Sequence, residues 1–181
     1  MTSKKIIEEK QLEIIIDRLC YELIEKHSDF SNTAIIGLQP RGIFLSRRIH
    51  QRISTILKNK KILYGELDIA FYRDDFRRGH EQIIPSEMKI DFTVQDKNIV
   101  IIDDVLFTGR TIRAALDALT DFGRPSKVEL LVLIDRQYSR HLPIQPDYVG
   151  LRVDTGVNEK VKVEWKEKAK HDLVHIITEL K

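Results

Sequence analysis

Val-Ile-Ile-Asp-Asp-Val-Leu-Phe-Thr-Gly-Arg-Thr, residues Val100 to Thr111, joins an apolar run to two adjacent carboxylates and then to a Thr/Gly turn. The apolar residues Ile99 to Ile102 are too few for a lone helix and read as a strand buried on both faces. Beyond the turn, Ile112, Ala115, Leu116, Leu119 and Phe122 recur at helical spacing. Strand, turn and helix therefore follow in order. The carboxyl end of a parallel strand opens into the crevice where α/β proteins bind ligands, so the acids and the turn stand where a site is expected.

The residue types suit a sugar phosphate. Thr108 to Thr111 present backbone N–H groups at the positive end of the helix, and Gly109 removes a Cβ that would keep a phosphate from the backbone. Asp103 and Asp104 would repel that phosphate, so they are expected to face something polar and neutral beside it, as vicinal ribose hydroxyls are.

The whole pattern resembles the phosphoribosyl pyrophosphate (PRPP) binding motif of type I phosphoribosyltransferases. The resemblance implies that the two acids hold the ribose hydroxyls while the loop Val105, Leu106, Phe107, Thr108, Gly109, Arg110 and Thr111 wraps the 5-phosphate. Further segments are similar to one subfamily, the PyrR proteins. They are Gly37 to Gly42, Gly65 to Ile69, Tyr72 to Asp75, Phe122 to Ser126, Leu133 to Arg136 and Leu142 to Gly150. PyrR proteins combine uracil phosphoribosyltransferase activity with pyrimidine-operon regulation. The resemblance thus implies an enzyme forming UMP and pyrophosphate from uracil and PRPP, with Mg²⁺ bound along with PRPP, and a UMP-sensing regulator that contacts leader mRNA. A homo-oligomer is expected. The alternatives are an RNA-binding attenuator with little catalysis and a purine phosphoribosyltransferase.

Other residues take roles on the same basis. Pro40, Arg41 and Gly42 follow a strand and precede a helix, and the resemblance implies that they grip pyrophosphate; Pro40 makes a cis peptide after Gln39 accessible. Arg73 is a candidate catalytic residue with Asp103 and Asp104, and Arg73, Arg77 and Arg78 stand at the root of a charged arm, residues 74–95, read as a flap. Phe107 disfavours 6-oxopurines, whose transferases typically place an aspartate there to meet N7. Arg136 and Gln137 are expected at the base. There the chain departs from the subfamily, with Asp-Arg-Gln-Tyr-Ser-Arg-His-Leu-Pro one residue longer than its usual loop and Gln137 in place of glycine. On the RNA side, Asp17, Tyr21 and Leu151 replace threonine, histidine and lysine of RNA-binding members, while Arg18, Lys26 and Arg152 keep positive charge.

Size and composition agree with that class. The chain has 181 residues, a length expected of one domain spanning 1–181, and 30 basic against 28 acidic residues leave a formal charge of +2 that calls for no nucleic-acid partner by itself. One cysteine, Cys20, leaves no intramolecular disulfide and reads as helix packing. No stretch reaches the ~18 apolar residues of a membrane span, and the charged start lacks a signal-peptide core, so a cytoplasmic location is expected. His171 and His175 fall in a predicted strand, where their spacing does not make a helical metal pair, and no metal is expected to be held by the protein directly.

Periodicity predicts a helix from about Glu9 to Lys26, a strand at Thr33 to Leu38, a helix carrying Leu45, Ile49, Ile53 and Ile56, and a strand on Leu67, Ile69 and Phe71. Further strands are expected at Val128 to Ile134, around Val161 to Trp165, and at Leu173 to Ile177. The fold class is therefore α/β and type I phosphoribosyltransferase-like: a mostly parallel central sheet flanked by helices, with a flexible flap and a small C-terminal strand region.

Overall fold

The computed structural model describes residues 2–59, 61–72 and 89–178. The chain runs through β1 (Thr2–Glu8), α1 (Glu9–His27), β2 (Thr33–Leu38), α2 (Gly42–Ile56), β3 (Leu63–Leu67), β4 (Asn98–Leu106), α3 (Arg110–Leu119), β5 (Lys127–Gln137), β6 (Tyr148–Asp154), β7 (Glu159–Glu164) and β8 (Leu173–Thr178). Five strands form a sheet in the order β3-β2-β4-β5-β6, every neighbouring pair parallel. Strands β1, β8 and β7 form a second, antiparallel sheet.

Adjacent residues of the central strands supply two separate cores because side chains alternate across a sheet. On one face, Ile35, Val100, Ile102, Leu131 and Leu133 pack with Leu12, Ile16, Leu19 and Leu23 of α1 and Leu45, Ile49 and Ile53 of α2. On the other, Ala34, Ile36, Ile99, Ile101, Leu130 and Val132 meet Ile112, Ala115, Ala118 and Leu119 of α3. Strand β2 is buried at every position, which explains its almost wholly apolar sequence after Thr33. Cys20 is buried, with Sγ 3.9 Å from the Ile49 carbonyl, and burial pushes its thiol up to about 12, which fits a packing residue.

Several expectations shift. The third strand of the sheet lies at Leu63–Leu67, earlier than the Leu67/Ile69/Phe71 alternation suggests. Asp68 Oδ1 accepts the Ala70 N–H at 2.8 Å, turning the chain into a short 3₁₀ helix at Ala70–Tyr72 that leaves Phe71 exposed. Leu116 likewise faces outward, 39% exposed, off the buried stripe of α3. Arg73, Arg77, Arg78 and most of the expected flap lie outside the described residues. Its end does not: Lys89 bridges to Glu66, and Val94 is fully buried.

The arginines of α2 are each paired with carboxylates. Arg47 pairs with Glu66, Arg48 with Asp172 and Glu167, and Arg52 with Asp17 and Glu13. A denser cluster ties α1 to β5 and β6. There Glu129, 1% exposed, lies 2.8 Å from Lys26 and 2.6 Å from Lys127, accepts the Tyr148 hydroxyl at 2.8 Å and meets His27 Nε2 at 2.8 Å. Burial pushes the Glu129 carboxyl up, but hydrogen bonds from Lys127, Lys26 and Tyr148 outweigh it and hold the group at about 2.

Candidate active site

Asp103 and Asp104 lie within β4, close to its carboxyl end, because the strand continues past the apolar run to Leu106. Both are buried, 8% and 5% exposed. Asp103 Oδ1 accepts the Asp104 N–H at 2.9 Å, and Asp104 Oδ2 accepts from Arg41 Nε at 3.1 Å. The same guanidinium donates through Nη2 to the Val163 carbonyl at 2.6 Å, so Arg41 spans from the acid pair to β7 of the small sheet. Burial raises the Asp103 carboxyl well above its ordinary value, with the neighbouring Asp104 charge adding to it. Asp104 is also raised by burial, against the opposing pull of Arg41. Burial and mutual repulsion thus oppose two negative charges on the pair, and the Arg41 guanidinium offsets this only in part.

The β2–α2 loop sits directly over these acids. The Gln39–Pro40 peptide is cis, as the sequence allows. A Cβ on Gly42 would come within 2.5 Å of the Ile102 carbonyl oxygen and 2.9 Å of the Asp103 Cα, so a glycine is required for the loop to approach β4.

The turn after β4 is left-handed at Gly109, φ 90°, and α3 starts at the next residue. Thr108 Oγ1 lies 3.4 Å from the Arg110 nitrogen, and Thr111 is in the first turn of α3. Leu142 and Ile144 pack against Gly109, where a Cβ would meet each at 3.3 to 3.4 Å. Val105 and Leu106 point elsewhere: Leu106 packs into the α3-side core and Val105 against the opposite one, so their side chains fix the strand.

Beside the turn, the Arg136 guanidinium stacks over the Phe107 ring at 4.0 Å. Arg136 is 7% exposed and is held by Thr155 Oγ1 and the Glu159 carbonyl, both at 2.9 Å. Phe107 keeps 44% of its surface exposed, a flat apolar wall beside the acids. Gln137 ends β5, paired with Asp154, and it is Tyr138 that takes the positive φ of 58°, so the lengthened loop turns one residue later than a glycine at 137 would require.

Asp103, Asp104, Pro40 to Gly42, Phe107 to Thr111 and Arg136 thus gather at one end of the parallel sheet. Sequence reasoning gave no role to Asp135, Arg140, Leu142 and Ile144, which hold the base loop to the turn, although Asp135, Leu142 and Ile144 fall in segments that carry the resemblance and Arg140 in the lengthened loop. Among the described residues, no cluster of three or more His, Cys, Asp or Glu is arranged to hold a metal, and no helix is long and apolar enough to cross a membrane.

Residues 3–168 match the phosphoribosyl transferase domain family, and the class of protein is fixed by that match over most of the chain. The chain is 43% identical to "Bifunctional protein PyrR" of Elusimicrobium minutum, covering 96% of each. It is 44% identical to the protein of that name from Streptococcus agalactiae, covering 98% of each. It is 47% identical to that of Acetivibrio thermocellus, over 90% of this chain and 88% of that one. The chain belongs to the PyrR family of phosphoribosyltransferases. In fold it is similar to the hypoxanthine phosphoribosyltransferase of Trypanosoma cruzi, with a TM-score of 0.71 and 13% identity over 97% of each chain. A hypoxanthine-guanine phosphoribosyltransferase of Bacillus anthracis gives 0.69 at 14% identity, over 98% of this chain and all of the other.

Proposed function

We propose that the chain transfers the phosphoribosyl group of PRPP to uracil, forming UMP and pyrophosphate. The observation that carries this reading is the juxtaposition of a buried acid pair, a glycine loop pressed onto it, and a left-handed glycine opening a helix. The C1–O bond to pyrophosphate breaks and a C1–N bond to the base forms through an oxocarbenium-like sugar, so no covalent nucleophile is needed. Asp103 and Asp104 hold the ribose hydroxyls and offset the cationic ring. Amides of residues 108–111 and the start of α3 hold the 5-phosphate.

Pro40, Arg41 and Gly42 receive the pyrophosphate, with Arg73 as a further candidate from the arm. Hard carboxylate oxygens with a single arginine partner fit a cation-bearing ligand, and Mg²⁺ bound on PRPP oxygens supplies charge to the leaving group. Phe107, backed by Arg136, offers the base a ring face and no proton acceptor, which favours a pyrimidine over a 6-oxopurine. Gln137 and Arg136 lie at the base side.

The experiment is incubation of the purified chain with Mg²⁺, PRPP and each common nucleobase, with the nucleotide product identified. UMP is the expected product. Faster conversion of hypoxanthine or guanine overturns the assignment.

RNA recognition, the second activity that resemblance to the regulators implies, has weaker support in the side chains. Arg18 donates to Glu22 and to the Val149 and Gly150 carbonyls, Lys26 is held by Glu129, and Arg152 approaches Asp135 at 3.8 Å. Asp17 is taken up by Arg52.

A further inference from the structure

We infer that Arg140 is a positioning residue that aims the backbone amides of the phosphate loop, an inference that rests on the function proposed above. Arg140 belongs to the loop that departs from the subfamily pattern. Its Nη1 donates to the Phe107 carbonyl at 2.6 Å and the Arg136 carbonyl at 2.9 Å, with the Leu106 carbonyl at 3.3 Å. Its Nε donates to the Ile144 carbonyl at 3.0 Å, and Nη2 pairs with the Asp135 carboxylate. One planar guanidinium with five N–H donors thus binds the end of β4, the end of β5 and the loop beyond it.

The consequence follows from peptide planarity. In a trans peptide the C=O of one residue and the N–H of the next point in opposite directions. Fixing the Phe107 carbonyl toward Arg140 therefore turns the Thr108 N–H away from it. The next peptide is set in the same sense, because the Thr108 carbonyl accepts the N–H groups of His141 at 3.0 Å and Leu142 at 3.2 Å, which turns the Gly109 N–H away from that loop. Two successive amides then project from the face opposite the Arg140 loop at the start of α3, an arrangement that makes an anion-binding concavity. Leu142 and Ile144, packed on Gly109, close the back of the turn. Asp135 holds Arg140 in this pose from a position that is 6% exposed.

Arg140 touches neither Asp103 nor Asp104 but also holds the carbonyls of Phe107 and Arg136 on the base side, so the test separates loss of phosphate binding from loss of base binding. The test compares Arg140→Ala and Arg140→Lys with the wild type by calorimetry, using UMP and uridine, ligands that differ only in the 5-phosphate, after thermal unfolding has established that each variant folds. Arg140→Ala is expected to lower the ratio of UMP to uridine affinity by about tenfold or more, the scale of charge-assisted hydrogen bonds lost from one group. Arg140→Lys, which keeps the charge but loses the fork, should recover only part of it. If Arg140→Ala folds and leaves the ratio unchanged, or weakens UMP and uridine equally, the positioning role is overturned. If Arg140→Ala does not fold, Arg140→Lys is read alone by the same ratio. Turnover of uracil by the wild type is measured alongside: its absence counts against the proposed reaction, whereas the UMP-to-uridine ratio reports on Arg140 alone.

Discussion

Gly42 and Asp103 are packed backbone to backbone: a Cβ on Gly42 would come within 2.9 Å of the Asp103 Cα and 3.1 Å of its Oδ1. The pyrophosphate-side loop and the ribose-side strand are thereby locked in one position. Gly42→Ala should force them apart, lowering stability by about 1–3 kcal/mol, as overpacking does, and impairing turnover more than a distant mutation of equal stability cost. Thermal unfolding and UMP formation measured on one preparation check this. Wild-type turnover in the folded variant would show that the spacing is not functional.

Charge removal at the acids should separate activity from stability. Asp103→Asn with Asp104→Asn is expected to fold but to lose about 10²–10³ in rate, the scale of a lost electrostatic partner for the transition state. Because burial raises the Asp103 carboxyl, the native protein retains a proton there to higher pH than the unfolded chain does. The stability tied to that proton is full below the ordinary value of about 4 and declines as pH climbs through the raised one. The thermal midpoint of Asp103→Asn should therefore gain on the wild type more at pH about 8 than at pH about 5. An equal difference at both values would contradict the shift.

At the left-handed turn, Gly109→Val should weaken PRPP and UMP together while affecting uracil little. A branched residue at φ 90° carries backbone strain of about 1–3 kcal/mol and presses on Leu142 and Ile144. Calorimetry with each ligand reads the outcome. Unchanged UMP affinity would put the phosphate elsewhere.

Glu129 should govern acid stability. Its carboxyl is held at about 2, so the stabilisation is present above the ordinary carboxylate value and fades as pH falls toward 2. Glu129→Gln should cost about 1–3 kcal/mol at neutral pH, the scale of buried partners left unsatisfied, and the deficit should shrink in acid. Denaturant unfolding across pH measures it, and a deficit that grows as pH falls would refute the account.

RNA binding should be weaker, and less salt-dependent, than a free basic face would give, because Arg18, Arg52 and Lys26 are already paired within the chain. A gel-shift titration with the chain's own pyrimidine-operon leader, with and without UMP at fixed salt, decides it. Tight, UMP-enhanced binding would mean that other residues compensate.

Much of this was legible in the residues. The mostly apolar run of β2 and the acid-ended run of β4 announce doubly covered strands, the period of α1 finds its boundaries within a residue, and Leu45, Ile49, Ile53 and Ile56 fall inside α2. Strand β1 was not legible, because only Ile7 in it is buried and its pairing comes from β8, far along the chain. Strand β6, whose exposure pattern is mixed, reads as a motif and not as a strand. The same limit applies to the site: single letters mark Arg41, Asp103, Asp104 and Gly109, but the hold of Arg140 on the Phe107 carbonyl and of Arg41 on the Val163 carbonyl depends on segments that only the assembled fold brings near.

The pairing of Glu8 with Leu173 across the small sheet has a bearing on how the protein is born. Domains fold as they emerge from the ribosome, N-terminal parts first, yet β1 has no partner until β8 has been synthesised. Its exposed Lys4 and Lys5 are the kind of charge that discourages an unpaired strand from adding to other chains. Strand β7, whose Val163 carbonyl anchors Arg41, is also made late. The anchoring of Arg41 thus waits for a strand that follows the whole parallel sheet in the chain, whereas the acid pair and the phosphate turn belong to that sheet itself.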